Sequence, residues 1–400
     1  MARCTRLFDV RPRSHPGDPL CSNRTRSLFE PMVRSRRAPL WKCVCVDAIQ
    51  CVDFLYGVDM KMRPLIPAIS LSLGLALTAF GASAAPATPA RPLEWVTLGT
   101  NAGPYIHQNR SEPANLLVVN GKPWLVDCGD GAMERLAAAG FQAADVSVVF
   151  ISHLHMDHIG GIQGLIGLRW MTSATTPMTI YGPPGTQELV NGILKSLAPT
   201  IKIGQFEPMR GMPPDKMVKV VTVEGGADLQ VDGVRVRTVR NSHFDMPPGH
   251  HLPDGTQSLG YRFDVDGQSI TFTGDTGPSD AMTGLAKGTD ILVSEVIDKD
   301  GMEQQALADK KRPVAAMKAE VEHFGTQHLS PQDAGAMAAK AGAKQLVYTH
   351  IATVFGATPP NGDAIEREAI ARIVAETKQV YNGKVAVSND LDRYSVAATR

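Results

Sequence analysis

The 400 residues balance 40 Lys and Arg against 40 Asp and Glu, in a length that holds at most two average domains. The charge is uneven along the chain: residues 1–84 hold 12 basic and 6 acidic side chains, which leaves 28 and 34 in residues 85–400, a net charge near −6. That acidity gives no electrostatic reason to expect a nucleic-acid partner, and the single cysteine of the stretch, Cys128, excludes an internal disulfide there.

Residues 1–59 carry five of the six cysteines, many arginines and no hydrophobic period. Cys43 and Cys45 lack the spacing of a zinc ribbon, and no second pair lies at a suitable distance. From Met60 the text changes. Met60-Lys61-Met62-Arg63 leads into a 16-residue apolar run, Leu65–Phe80, and then an Ala82-Ser83-Ala84 exit. This is the three-part form of a secretory signal, and its apolar run is shorter than the about 20 residues of a membrane-spanning helix. The expectation is a translation start at Met60 or Met62, a cleaved signal over residues 60–84, and a periplasmic or secreted product with no further membrane association. Residues 1–59 are then a mis-assigned or disordered extension, 85–93 a flexible leader and 94–400 one large domain.

Within that domain, short apolar runs predict strands at Glu94–Leu98, Asn115–Val119 and Pro123–Val126, with Asn120-Gly121 as a two-residue hairpin between the last two. A helix at Ala132–Ala139 ends on Gly140 and leads into a buried strand, Val146–Ile151. Further strands are expected at Met178–Tyr181, Val218–Val223, Val234–Arg240, Ser258–Val265, Ser269–Thr273, Ile291–Glu295, Gln345–Thr349 and Lys384–Val387, with a second hairpin at Asp266-Gly267. Helices are expected at Pro184–Leu197, Pro331–Ala341 and Asp363–Val380; the second opens with a Ser330 cap, a proline in the first turn and an acid three residues on. Two similar runs of strands and helices predict an α+β fold of two sheets packed face to face with helices outside.

The strongest chemical signal is His153-Leu154-His155-Met156-Asp157-His158-Ile159-Gly160-Gly161, directly after an apolar strand. Alternation along an extended segment puts His153 and His155 on one side. The chain then turns, at glycines that relieve Cβ clashes, and Asp157 and His158 can reach a second point nearby. Two imidazoles one way and a carboxylate with an imidazole the other suit a pair of metal ions. His243, Asp275 and His350 each sit at the end of a later apolar strand, where sheet-based sites collect their polar groups.

With these residues on the page, the chain resembles the metallo-β-lactamase-fold hydrolases, and among them the branch of ribonuclease Z and the alkyl/aryl-sulfatases. The segments that carry the branch are Leu98-Gly99-Thr100, Tyr181-Gly182-Pro183-Pro184-Gly185-Thr186, Gly260-Tyr261-Arg262 ahead of Gly274-Asp275-Thr276, and His328-Leu329-Ser330. The resemblance implies a four-layer αββα sandwich. It implies that His153, His155 and His243 hold one divalent ion, that Asp157, His158 and His350 hold another, and that Asp275 bridges them. Asp127 matches the acid that steadies the histidine loop from behind. His328 matches a histidine that approaches the leaving group, and Asp157 also orients or accepts a proton; His323, nearby, lacks the Ser330 cap. Zinc fits the imidazole-rich set. His107 is expected to border the cleft and His250-His251 to face solvent.

On this reading the chain is an exported dinuclear hydrolase in which two ions activate a water for attack on an ester. Asp275 stands where β-lactamases of this fold carry Cys or Ser, which sets penicillin turnover aside. The signal segment, the acidic charge and the lack of an RNA-gripping insertion point away from RNA. The expected substrate is therefore a small sulfate or phosphate ester, arylsulfatase- or phosphodiesterase-like, with no nucleic acid. The alternatives are a lactone, thioester or cyclic-nucleotide hydrolase and, from another class, a non-hydrolytic diiron protein. Met156 in place of a Glu, and no flavin domain, weigh against the last.

Overall fold

The computed structural model describes residues 93–396, apart from residues 205, 207–211, 247–248, 309–312 and 354–361. The expected signal and the extension before it lie outside the described residues, and among those described no helix is long and apolar enough to cross a membrane.

Among the described residues, fourteen strands form two seven-stranded sheets. In chain order they are β1 (Glu94–Gly99), β2 (Ala114–Val119), β3 (Lys122–Cys128), β4 (Val148–Phe150), β5 (Met178–Gly182), β6 (Val218–Thr222) and β7 (Asp228–Val231). There follow β8 (Val234–Arg240), β9 (Leu259–Val265), β10 (Gln268–Phe272), β11 (Ile291–Ile297), β12 (Gln345–Ala352), β13 (Lys384–Val387) and β14 (Arg393–Ser395). The first sheet runs β14-β1-β2-β3-β4-β5-β6 and the second β13-β12-β11-β10-β9-β8-β7. Each is half antiparallel and half parallel: β3 to β6 are parallel in one, β10 to β13 in the other.

Alternation sorts the side chains into layers. Trp95, Leu117, Trp124 and Phe150 of the first sheet share one cluster with Val236, Tyr261, Phe263 and Phe272 of the second. Their neighbours Val96, Leu116 and Leu125 point the other way, onto the helices Ala132–Ala138 and Ile162–Met171. Leu292, Leu346 and Tyr348 likewise face the helices Pro331–Ala341 and Gly362–Val380. Where both faces are covered, as at β2 and β11, the strand reads as a nearly continuous apolar run; β7 and β8, nearer the edge, carry exposed polar residues. Trp95 meets Phe272 across the sheets at 5.6 Å between ring centroids, and Phe150 meets Phe263 at 5.2 Å. Burying each such ring contributes on the order of 2–3 kcal/mol.

Asn120 and Gly121, and again Asp266 and Gly267, all have positive φ, as two-residue hairpins require. Asp232 and Gly233 make a third such hairpin, between β7 and β8. The sequence reading lacked β7, β14 and the helices Ile162–Met171 and Val314–Gln327. β7 and β14 have only four and three residues, too short for a period to show. The helix Thr186–Gly204 also runs through Pro199, past its expected end at Leu197.

Candidate metal centre

The first ligand group grows from β4. Ile151 and Ser152 continue the extended chain, and the motif histidines follow where it leaves the sheet. His153 Nε2 and His155 Nδ1 stand 3.0 Å apart, so alternation brings both rings to one point. His155 then caps the helical turn Met156–Ile159, which carries Asp157 and His158 to the other side. Asp127, at a positive φ of 60° at the end of β3, holds this loop from beneath. Its carboxylate accepts the Ser152 amide (2.7 Å), the Ser152 hydroxyl (2.7 Å) and His158 Nδ1–H (2.8 Å). Ser152 Oγ in turn lies 3.0 Å from His153 Nδ1. Both imidazoles thereby direct their Nε2 lone pairs inward. The two glycines of the motif act differently from the expectation. Gly160 and Gly161 have ordinary helical φ values of −56° and −83°, and a Cβ on Gly161 would overlap the Gly129 carbonyl oxygen. Close approach, not an unusual turn, excludes a side chain there.

The second sheet contributes from four places. His243 follows β8 and donates Nδ1–H to the Gln327 carbonyl at 3.0 Å, leaving Nε2 3.2 Å from His155 Nδ1. Asp275 follows β10 across Thr273-Gly274. His350 does not end its strand, as the sequence suggested, but lies inside β12. There Thr349 and His350 oppose the single residue Glu295 of β11, a β-bulge with His350 at a φ of 45°. Such a bulge re-aims one side chain while the strand continues. Glu295 and His328 come from β11 and the end of the helix Val314–Gln327, and His328 Nδ1 is 2.6 Å from Glu295 Oε2.

Among the described residues the ligand atoms meet in five close triads, and His328 joins two of them, with His243 and Asp275 and with Glu295 and His350. His153, His155 and His243 form one triad; Asp157, His158 and His350 form another, with Asp157 Oδ2 3.5 Å from His158 Nε2 and 3.6 Å from His350 Nε2. Asp275 Oδ2 lies between them, 3.8 Å from His153, 3.3 Å from His158 and 3.1 Å from His350. Two ligands on one tetrahedral zinc stand roughly 3.3 Å apart, so these spacings fit. Asp275 Oδ1, His158 Nε2 and both nitrogens of His350 are buried without a hydrogen bond. Buried polar atoms are normally satisfied, and a divalent cation would satisfy Asp275, His158 Nε2 and His350 Nε2.

The electrostatics point the same way. Burial alone would keep Asp275 neutral, yet His350 and His158 hold its carboxyl well below the usual range. Burial opposes a charge on His350, but Asp275 and Asp157 push it up to about 10. His243, by contrast, is held down to about 3, chiefly by burial. Protons on His158 and His350 thus sit where ligand lone pairs are needed, and cation binding must release them. Burial, then Asp275, pushes Glu295 well up, while burial holds His328 down to about 4. Both directions favour the neutral forms of the pair, with Glu295 Oε2 and His328 Nδ1 sharing one proton.

These groups floor a cleft of about 790 Å³ whose rim includes Tyr105, Ile106, Met156 and Phe324. His107 is buried beside it, with Nε2 3.7 Å from Glu366 Oε2, and does not line the cleft. His250 and His251 are exposed, and the side chain of His323 lies outside the described residues. Sequence reading missed Glu295 and Ser152. A carboxylate inside an apolar strand was the only signal for Glu295; Ser152 gave none.

The Beta-lactamase superfamily domain matches residues 124–351. Ribonuclease Z of Mycobacterium bovis BCG is 32% identical over 313 residues, covering 77% of this chain and all of that protein. Ribonuclease Z of Mycobacterium marinum is 32% identical over 314 residues, covering 76% of this chain and 99% of that protein. Among solved structures, a metallo-beta-lactamase fold protein from Bacillus subtilis superposes with a TM-score of 0.52 at 18% identity, over 76% of this chain and all of that one. The short form of human tRNase Z superposes with a TM-score of 0.50 at 21% identity, over the same shares. The two sheets with outer helices are the expected αββα sandwich. The relatives overturn one expectation. The two mycobacterial ones are ribonuclease Z, so a small-molecule ester as substrate, with no nucleic acid, does not stand. The net charge of a whole chain is an average, and it does not report the field of a cleft that gathers divalent cations.

Proposed function

The chain belongs to the metallo-β-lactamase superfamily, on its ribonuclease Z branch, as a metal-dependent hydrolase, and from that premise we propose that it cleaves phosphodiester bonds of RNA at two zinc ions. The observation that carries the reading is the convergence of seven ligand side chains around buried, unsatisfied polar atoms. His153, His155 and His243 would hold one ion and Asp157, His158 and His350 the other, with Asp275 within reach of both groups. Bound ions supply Lewis acidity at phosphoryl oxygens and a lowered pKa for water.

The chain's own residues do the rest. Asp127 and Ser152 fix the rings of His158 and His153. The Gly103 amide donates to Asp157 Oδ2 at 3.1 Å, which leaves the other carboxylate oxygen free to orient the attacking water. Any side chain at position 103 would run into Asp157. His328 lines the cleft with its Nδ1 edge engaged by Glu295, so the Nε2–H edge faces the leaving oxygen. As the P–O bond breaks, Nε2–H protonates that oxygen and the proton shared with Glu295 passes to Nδ1. The resulting carboxylate keeps the Thr276 amide as a donor.

Initial rates on a single-stranded RNA oligonucleotide, bis-p-nitrophenyl phosphate and p-nitrophenyl sulfate, before and after chelation and zinc return, test this. Chelator-sensitive, zinc-restored cleavage of the two phosphodiesters is expected. Preference for the sulfate ester, or cleavage that survives complete chelation, contradicts it. Export through residues 60–84 is part of the same proposal, on the strength of the signal-like pattern. Mass mapping of the N-terminus of exported protein should find a new end near Ala84; retention of Met60 would refute it.

A further inference from the structure

The loop between β1 and β2 is stitched to the centre yet turns its tip outward. Its base is fixed by Arg110, whose guanidinium donates to Glu366 (2.5 Å), Thr100 Oγ1 (2.6 Å), the Ser388 carbonyl (2.7 Å) and Asn389 (3.2 Å). Its middle is fixed by Gly103 on Asp157. Asn101 ties the tip to the cleft floor: its Nδ2 donates to the Tyr105 carbonyl at 2.8 Å and to Glu112 Oε1 at 3.2 Å.

What this framework presents is specific. Tyr105 and Ile106 line the cleft but remain 45% and 68% exposed, large apolar side chains held over open space. Glu112 also lines the cleft. It is 95% buried by the 5% exposure it retains, and its Oε2 has no hydrogen-bond partner. No Lys or Arg lines the cleft among the described residues. Among the described residues a substrate therefore meets the apolar side chains of Tyr105 and Ile106 and a buried acceptor, with no Lys or Arg in the lining. Aromatic stacking with a hydrogen bond to a hydroxyl is how such a surface takes a nucleoside.

We propose that Tyr105, Ile106 and Glu112 form the subsite for the nucleoside on one side of the scissile bond: the base lies on Tyr105 and Ile106, and a ribose 2′-hydroxyl donates to Glu112 Oε2. This rests on the phosphodiesterase reading. It makes the loop the selector of ribonucleotides, with affinity that comes from stacking.

Steady-state kinetics of the zinc-loaded full chain on adenylyl-(3′→5′)-adenosine, its dideoxy counterpart and methyl p-nitrophenyl phosphate separate the contributions. Tyr105→Ala should raise KM for the dinucleotide about tenfold more than for the methyl ester, with the difference in KM rather than kcat. Glu112→Gln keeps the size and the Asn101 contact but loses the acceptor, and should bring the ribo-to-deoxy ratio of kcat/KM toward one. Equal effects of Tyr105→Ala on both substrates, or an unchanged ratio in Glu112→Gln, overturn the subsite. If the wild type cleaves none of the three, the phosphodiesterase reading fails by itself. Calorimetric binding of the intact dinucleotide then reads the subsite: about tenfold weaker binding by Tyr105→Ala supports it, and equal binding refutes it.

Discussion

The two halves of the site are built on opposite plans. The first sheet delivers His153, His155, Asp157 and His158 from six consecutive positions, stiffened by one buried carboxylate, Asp127. The second delivers His243 and Asp275 from beyond strand ends, Glu295 and His350 from within strands, and His328 from a helix end; a carbonyl aims His243, a bulge His350 and a carboxylate His328. A local loop needs one anchor. A dispersed set needs the register of the whole sheet, so its residues depend on the fold more than on their neighbours in sequence.

The largest expected effect breaks the one residue common to both ion sites. Asp275→Ala should lower kcat/KM beyond the about 10⁴-fold that a single proton-transfer residue accounts for, with loss of metal measured alongside. His328→Ala and Glu295→Gln should cost about 10²–10⁴-fold on RNA while metal content stays at the wild-type value. The loss should shrink on bis-p-nitrophenyl phosphate, whose leaving group needs little protonation. An equal loss on both substrates would remove the proton-donor role from the pair.

The anchor of the first half comes next. Asp127→Asn should weaken metal affinity about 10–100-fold, read by competition with a chromophoric chelator. An unchanged affinity would mean that the loop is stiff without Asp127.

The smallest effect is the pH dependence of the chelated protein. The raised pKa of His350, about 10 when folded against about 6.5 unfolded, contributes stability that is full below pH 6.5 and is lost as pH rises toward 10. His243 and His328, held down to about 3 and about 4 by burial, stay neutral when folded, so stability also falls as pH drops below 6.5 and the unfolded chain takes up protons. The urea midpoint should peak near neutral pH. A midpoint that climbs steadily from pH 6.5 to 9 would contradict these shifts.

The same contrast explains what the sequence disclosed. The motif His153–His158 is legible because its chemistry is contiguous, and strands such as Val234–Arg240 are legible because buried valines alternate with more exposed polar residues. His243, Asp275 and His350 stood out only as polar residues at strand ends, and it was the family resemblance that grouped them. Glu295 was hidden, since its role depends on a bulge in the neighbouring strand that no local pattern encodes. The substrate was misread because a signal-like segment, net charge and the lack of an RNA-gripping insertion were weighed, and none of these describes the chemistry of the cleft.

Counting bound ions by native mass spectrometry on zinc-loaded wild type and Asp275→Ala, with RNA cleavage measured on the same samples, tests the central claim most directly. The account predicts two ions per chain in the wild type, and loss of ions together with cleavage in the variant. A variant that keeps two ions and cleaves RNA at the wild-type rate would contradict it.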